Sequence, residues 1–241
     1  YVRDHQELHH LIATQAYSTM QPSEVYSYAT LTLAQTDDEI EDLLHSPNST
    51  EVIAAIKKEF ACMDKHRVFE VVKRPTNHPV RTCKLIISNK TDEVGNIVRT
   101  KARLVYRGYL QEQGVDYTNT EVPVLLQPSL RLQLKLAAKL NLSTQQLDIE
   151  TAFIHAPIAE QLYCEIPRAM LTYRTINIPN GDNTADYCLL LHKSLYGTKQ
   201  AGHNFITMLS NHLKTDQKFK QCVTEPCLYM KNLPDGTKII L

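Results

Sequence analysis

The amino-acid sequence predicts an α+β fold with a mainly antiparallel sheet. Short apolar segments that alternate with period two are interrupted by segments of helical period. They lack the regular strand–helix–strand order that is typical of a parallel sheet. Turn sequences, TDEVGN at 91–96 and LPDG at 233–236, lie between neighbouring strand candidates and favour hairpins. An apolar content of 43% in 241 residues is enough for a sizeable core.

The chain divides into a predicted linker and a predicted globular domain. Residues 1–48 show no sustained periodicity and carry the acidic run TDDEIED followed by HSPNST, a composition typical of disordered segments. Residues 49–241 form the predicted domain. Its first helix begins after Asn48, and Glu51 three residues on is a start signal. The apolar side chains of this helix recur at helical spacing: Val52, Ile53, Ile56, Phe60 and Met63.

Strands and helices then follow in an irregular order. The predicted strands are RVFEVV, CKLIIS, IVRTKARLVY, TQQLDI, EQLYCEI, DYCLLLH, CLYMKN and TKIIL. The predicted helices are SLRLQLKLAAKLN, opened by Pro128 and Ser129, and a second one from about Lys199 to Lys214. The polar segment YRTINIPNGDNTAD is expected to be a surface loop.

The charges are distributed unevenly along the chain. The net charge is zero, but residues 1–64 hold 3 Lys and Arg against 11 Asp and Glu, a net of −8. Residues 65–241 hold 23 against 15, a net of +8. A basic body keeps nucleic acid among the candidate partners.

The strand candidate 97–106 carries the clearest basic pattern. Arg99, Lys101 and Arg103 fall on one face of it because side chains alternate along a strand. Three cations on one face can bind polyanionic phosphate. An exposed edge strand that uses positive charge against aggregation is the alternative, and the strand alone favours that alternative. The other face is apolar and carries Val98, Ala102, Leu104 and Tyr106.

Cysteine and histidine give little support for a metal site. The six cysteines contain no CxxC pair, and only Cys222 and Cys227 are close, so free thiols are favoured over zinc ligands. His5, His9 and His10 are interpreted as part of a polar N-terminus.

No apolar run approaches the roughly 20 residues of a membrane span, and no membrane association is expected. A start at Tyr1 without Met suggests a piece of a longer protein.

Three segments carry the functional signal. They are VRTKARLVYRGYLQEQGVDY at 98–117, QQLDIETAF at 145–153 and KSLYGTKQAG at 193–202. Their order, spacing and content resemble the reverse transcriptase of copia-type retrotransposon polyproteins, which typically reads KARLVARG, then QLDVxxAF, then KSLYGLKQ. The resemblance covers roughly residues 51–241. It implies the fingers and part of the palm of the polymerase right-hand fold, with RNA-directed DNA synthesis as the activity.

Asp148 is the catalytic residue that the resemblance implies. An aspartate at the end of a strand is by itself either a helix cap or a ligand. In that family, the aspartate that Asp148 matches binds a metal ion in the palm. The main-chain carbonyl oxygen of Ile149 is expected to be a second ligand of this ion. Two Mg²⁺ ions are implied, with Mn²⁺ as an alternative, because hard oxygen ligands suit these ions and two metals serve phosphoryl transfer.

The nucleotide-binding residues come from all three segments. Lys101 and Arg103 match the fingers cations that neutralise the triphosphate. Phe153 matches the aromatic under the sugar, where a 2′-hydroxyl would collide; a core phenylalanine is the alternative. Tyr196 and Gly197 match the residues that border the nucleotide and template, and Gln200, which continues the same motif, is a further nucleotide-binding candidate.

The sequence departs from the family pattern at several positions. Thr198 replaces the usual Leu, while Leu85 and Phe205 stand where Trp is common, and Glu121-Val122-Pro123 replaces phenylalanine-serine-proline. The family's Tyr-x-Asp-Asp hairpin is absent from the 241 residues. With Asp148 as one ligand where three carboxylates are needed, the chain alone is expected not to polymerise.

The resemblance also implies partners. These are an RNA template, a DNA primer, deoxynucleoside triphosphates, and the integrase and ribonuclease H regions of the polyprotein. The implied location is the cytoplasm, in virus-like particles if the element is active, with possible nuclear access of the integration complex. A non-catalytic remnant that binds nucleic acid or protein is the alternative. A metal-dependent hydrolase at Asp148, with Glu150, Glu160 or Glu165 as partners, is a weaker third hypothesis.

Overall fold

The computed structural model has mixed α and β structure, as predicted, and describes residues 29–34, 36–92, 94, 96–174, 176, 178 and 183–241. Its strands are β1 (Ala29–Ala34), β2 (Phe69–Lys73), β3 (Val80–Arg81), β4 (Cys83–Thr91), β5 (Ile97–Tyr106), β6 (Tyr163–Cys164), β7 (Tyr187–Leu191), β8 (Lys220–Gln221), β9 (Tyr229–Asn232) and β10 (Lys238–Ile240). Its helices are α1 (Asp37–Leu44), α2 (Ser49–Lys65), α3 (Gln127–Lys139), α4 (Arg168–Tyr173) and α5 (Ala201–Asn211).

The strands form three sheets with the orders β1-β4-β5, β2-β7-β6-β3 and β10-β9-β8. Among the paired strands of the described chain, only β3 and β6 run parallel. The described residues divide into two compact units. The larger unit lies within 29–120 and 153–204 and holds the first two sheets, and the smaller unit lies within 121–152 and 205–241 and holds the third.

Helix α2 supplies much of the core of the larger unit. Its predicted stripe is buried at Val52, Ile56, Phe60 and Met63, as helical periodicity requires. The helix begins at Ser49, directly after Asn48 as predicted, but the Asn48 side chain makes no capping hydrogen bond. The start was therefore predicted correctly, while the capping mechanism was not.

The β4–β5 hairpin confirms the turn predicted at TDEVGN. The strands pair antiparallel from Cys83 opposite Tyr106 to Lys90 opposite Arg99. Asp92 organises the turn, because its carboxylate accepts hydrogen bonds from the main-chain N–H groups of Val94 and Asn96 at 3.0 and 2.8 Å. Such aspartate-centred turns fix the register of a hairpin.

The predicted linker at 1–48 needs correction. Residues 29–34 form β1, paired antiparallel with β4, and Asp37–Leu44 form α1. The acidic run starts this helix, because Thr36 and Glu39 form a reciprocal capping box, and acidic residues are favourable in a first turn. Ile40 is buried in the core. Residues 1–28, including His5, His9 and His10, lie outside the described residues.

The segment TQQLDI was predicted to be a buried strand, and this was wrong. Residues 142–149 have no regular structure, and 144–148 are exposed. A strand obtains its hydrogen bonds from a neighbour, and no strand in the described part of the chain pairs with this segment. The other strand and helix predictions hold with shifted ends, and EQLYCEI shrinks to Tyr163–Cys164.

Helix α3 forms as predicted, but none of its residues is buried. A main-chain N–H at its N-terminus has a distant partner along the chain. Glu225 accepts a hydrogen bond from Leu126 N at 3.2 Å. A hydrogen bond from Ser129 and this main-chain contact lower the pKa of Glu225. A negative charge here complements the helix N-terminus.

The predicted loop YRTINIPNGDNTAD covers residues 173–186. Tyr173 is the last residue of α4, and Thr184–Asp186 form a short helical turn, while residues 175, 177 and 179–182 lie outside the described residues.

None of the described helices is both long and apolar enough to cross a membrane.

Replacing Ile56 by Ala should lower the free energy of unfolding by about 2–5 kcal/mol, because a fully buried aliphatic chain leaves a cavity. Urea denaturation followed by circular dichroism measures the change. The neighbouring Lys57→Ala on the exposed face is the matched control and should stay within about 0.5 kcal/mol. Equal losses from both variants would contradict the assignment of Ile56 to the core.

Candidate nucleotide-binding site

The segment Tyr196–Gly197 docks on the end of β5. Tyr106 N donates a hydrogen bond to Tyr196 O at 2.7 Å, and Val105 and Tyr196 form an isolated parallel bridge. The first and third sequence segments therefore share a main-chain contact, although Tyr106 and Tyr196 are far apart along the chain. This short β-type pairing fixes the position of the Tyr196 backbone, from which its side chain extends.

Two glycines allow this approach. A Cβ atom on Gly108 would collide with the carbonyl oxygen of Gly197, and a Cβ on Gly197 would collide with that of Tyr106. Gly197 also has a φ of +86°, a conformation that favours glycine. The glycine of the KSLYG segment is thus required by both backbone conformation and space.

Three predicted nucleotide-binding side chains lie together beside this contact. The guanidinium carbon of Arg103 is 5.9 Å from the centre of the Tyr196 ring, within the range of a cation–π interaction. The Phe153 and Tyr196 rings meet edge to face, with centres 5.8 Å apart and planes at 66°, a favoured aromatic geometry. All three side chains are half-buried, so each keeps a surface that a ligand can reach.

Strand β5 has the predicted two-faced character. Ala102, Leu104 and Tyr106 are buried, while Lys101 and Arg103 are half-buried on the other face. Val98, predicted for the apolar face, is exposed. Burial, together with the neighbouring charges of Arg103 and Arg99, lowers the pKa of Lys101. The basic face is therefore a region of mutually repelling cations that an anion would relieve.

Glu59 lies behind this strand and was missed at the sequence level. Its Oε1 accepts a hydrogen bond from Leu104 N at 3.1 Å, a main-chain group of a strand at the sheet edge. Burial raises the pKa of Glu59, against the opposing effects of Leu104 N–H, Lys101 and Arg103. A signal existed, because a carboxylate three residues after Ile56 falls on the apolar face of α2.

Gln200 is placed differently from the other candidates. It is 1% exposed, and its amide is engaged with Gln111, Asp116 and Glu160. Gln111, 4% exposed, accepts a hydrogen bond from Lys199 N at 2.7 Å. Direct contact between Gln200 and a nucleotide stays an untested prediction, and its burial favours a supporting role.

Asp148 and Ile149 belong to the smaller unit. Asp148 is exposed and Ile149 half-buried, in a segment without regular structure. Among the described residues, no group of three or more His, Cys, Asp and Glu side chains is arranged to hold a metal ion. The described residues do not by themselves fit a two-metal centre, and Asp148 as a ligand stays a prediction.

The departures from the family pattern are accommodated locally. Thr198 is buried, and its hydroxyl donates to Leu195 O at 2.8 Å, so the polar atom has a partner where an apolar residue is usual. Leu85 is buried in the core cluster. Phe205 lies half-buried on α5. All six cysteines are free thiols.

The family model described as "Reverse transcriptase (RNA-dependent DNA polymerase)" matches residues 66–241. The chain belongs to this family of polymerases, in the copia-type branch that the three segments predicted. Several curated relatives are retrovirus-related Pol polyproteins from transposons, and this chain is a reverse transcriptase domain of a retrotransposon polyprotein.

Two plant relatives align with most of the chain. The retrovirus-related Pol polyprotein from transposon TNT 1-94 of Nicotiana tabacum is 30% identical over 85% of this chain and 15% of its own length. That from transposon RE2 of Arabidopsis thaliana is 28% identical over 96% and 15%. The truncated transposon Ty1-A Gag-Pol polyprotein of Saccharomyces cerevisiae is 34% identical over 52% and 9%. The chain thus spans at most about 15% of these relatives, and no solved structure matches it.

Gly197→Ala should destabilise the chain more than the matched variant Gly114→Ala. Both glycines have positive φ, but a Cβ on Gly114 meets nothing within 4 Å. We expect Gly114→Ala to cost about 1–2 kcal/mol from backbone strain, and Gly197→Ala about 1–3 kcal/mol more from the collision. Urea denaturation measures both. Equal costs would mean that the approach to β5 imposes no constraint.

Proposed function

We propose that the chain contributes the fingers and part of the palm of a right-handed polymerase that copies RNA into DNA. Arg103, Tyr196 and Phe153 come from three separate motifs and lie together on one unit; this cluster is the observation that carries the proposal. Residues with purely structural roles would not be expected to bring a half-buried cation and two half-buried rings together from three distant motifs.

The proposed chemistry on this unit is the binding and orientation of a deoxynucleoside triphosphate. Lys101 and Arg103 would neutralise the phosphates through charge-assisted hydrogen bonds, for which arginine offers a planar two-pronged donor. The Phe153 ring would lie under the sugar and exclude a 2′-hydroxyl, which favours deoxynucleotides. Tyr196 and Gly197 would border the nucleotide and the template.

Asp148, with the main-chain oxygen of Ile149, is proposed as part of the divalent-metal site of the complete enzyme. Mg²⁺ or Mn²⁺ would supply charge stabilisation for nucleotidyl transfer. Since the described residues offer no further metal cluster, we propose that the 241 residues alone do not polymerise. The proposed partners are template RNA, primer DNA and the rest of a polyprotein with integrase and ribonuclease H regions, in cytoplasmic virus-like particles.

A nucleic-acid-binding remnant is the second candidate. The single candidate carboxylate and the exposed, irregular segment around Asp148 favour it, while the basic face of β5 serves either function. The two candidates differ in catalysis, because only the polymerase incorporates deoxynucleotides.

The double variant Lys101→Ala with Arg103→Ala should raise the nucleotide KM of the complete reverse transcriptase about tenfold or more, since charged hydrogen bonds to phosphate are lost. Steady-state incorporation of dTTP on a primed RNA template measures it. Lys57→Ala with Lys58→Ala, two exposed cations of α2, is the control of equal charge. An unchanged KM would leave β5 with only the edge-protecting role.

Asp148→Asn should abolish deoxynucleotide incorporation by the complete reverse transcriptase, because the amide keeps the size of the side chain but removes the negative charge. Asp235→Asn, an exposed carboxylate of the same unit, is the control and should incorporate like the wild type. Incorporation by Asp148→Asn at the wild-type rate would exclude the metal-ligand role.

A further inference from the structure

A buried pair of amides connects two of the three motifs. Gln111 Nε2 donates to Gln200 Oε1 at 3.0 Å, and Gln111 and Gln200 are 4% and 1% exposed. Gln111 follows the turn after β5, and Gln200 precedes α5 by one residue. Neither side chain is available as a surface contact, so whatever the pair does is done through its neighbours.

The polar atoms of the pair are satisfied by the chain itself. Gln111 Oε1 accepts from Lys199 N at 2.7 Å, and Gln200 Nε2 donates to Asp116 O at 2.9 Å and to Glu160 Oε2 at 3.4 Å. Two buried amides joined in this way are sensitive to change, because removing one partner leaves the other unsatisfied.

The network is anchored at both ends. The Asp116 carboxylate, 3% exposed, forms a 2.8 Å ion pair with Arg81 and accepts from Glu112 N at 2.8 Å. Lys199 Nζ donates to Gln111 O at 3.1 Å and lies 4.8 Å from the centre of the Tyr117 ring. The loop after β5 and the residues after Gly197 are therefore joined on both sides of the amide pair.

The position of Tyr196 depends on this junction. Its main chain is held on one side by the hydrogen bond from Tyr106 N. On the other side, Lys199 and Gln200 are held by Gln111 and Asp116, three to four residues further on. A shift of this segment would move the Tyr196 ring away from Arg103 and Phe153, and displacements of about 1 Å in a binding site are functionally costly.

We propose that Gln111 and Gln200 are positioning residues, whose amide pair sets the place of the Tyr196 ring in the nucleotide site without touching the nucleotide. This inference rests on the proposed function. It assigns an indirect role to Gln200, and it gives a role to Gln111, which belongs to the first of the three motifs.

The test compares Gln200→Leu, Gln111→Leu and Gln111→Glu in the complete reverse transcriptase. Gln113→Leu, an exposed glutamine two residues from Gln111, is the control. The two leucine variants should raise the KM for dTTP roughly tenfold, because buried partners are left unsatisfied, with an unchanged KM for the primed template. Gln111→Glu keeps the acceptor for Lys199 N and should fall between Gln111→Leu and the wild type.

A merely structural role would give a different pattern. It would lower the active fraction in an active-site titration and leave the dTTP KM of the remaining enzyme unchanged, and this result would overturn the proposal. Wild-type KM values in both leucine variants would overturn it as well.

A second measurement does not require activity. Tyr196 is replaced by 3-fluorotyrosine, and its ¹⁹F resonance is compared between wild type, Gln200→Leu and Gln113→Leu. A shift in Gln200→Leu alone supports positioning even if the wild type fails to incorporate deoxynucleotides, in which case the proposed function fails and the positioning role stands. An unchanged resonance in Gln200→Leu would overturn the positioning role whether or not the enzyme is active.

Discussion

The close approach of two backbones at Gly108 and Gly197 is the constraint on which the candidate site depends. Side chains at these two positions would hold β5 and the Tyr196 segment apart, and the hydrogen bond from Tyr106 N to Tyr196 O would be lost. Because the contact is between main chains, it fixes the backbone where the Tyr196 segment meets β5, while the proposed Gln111–Gln200 pair acts on the residues that follow. At this contact the Tyr196 ring lies beside Arg103 and Phe153.

Buried polar side chains flank this contact, and hydrogen-bond partners are present for Glu59, Gln111, Gln200 and Asp116. Glu59 satisfies an N–H at the edge of β5, Gln111 and Gln200 satisfy each other, and Asp116 is paired with Arg81. A buried polar group without a partner is costly, so such an arrangement tolerates little displacement. The strand β5, which carries the basic face, is thus held by Glu59 at Leu104 N and by Tyr196 O at Tyr106 N.

The two units differ in how they bury apolar side chains. The core cluster, from Ile40 to Leu195, belongs to the larger unit. In the smaller unit, α3 leaves Leu132, Leu134 and other apolar side chains exposed, and Asp148 stands in an irregular segment. Rigid surroundings hold a functional group better than a loop does. Within this chain, the nucleotide-binding candidates have that support and the metal-binding candidate has not.

Motif order and residue periodicity are local properties, and they were enough to predict the family, the α+β class, the hairpins, the two faces of β5 and the stripe of α2. Two further signals are present in the sequence: the capping box at Thr36 and Glu39, and the charge of Glu59 on an apolar face. Other features were visible only in the folded chain: Gln111 contacts Gln200, Arg103 lies over Tyr196, and TQQLDI pairs with no strand of the described residues. These depend on which distant segments come together, and hydrogen bonds between segments 80 or more residues apart leave no periodic pattern along the chain.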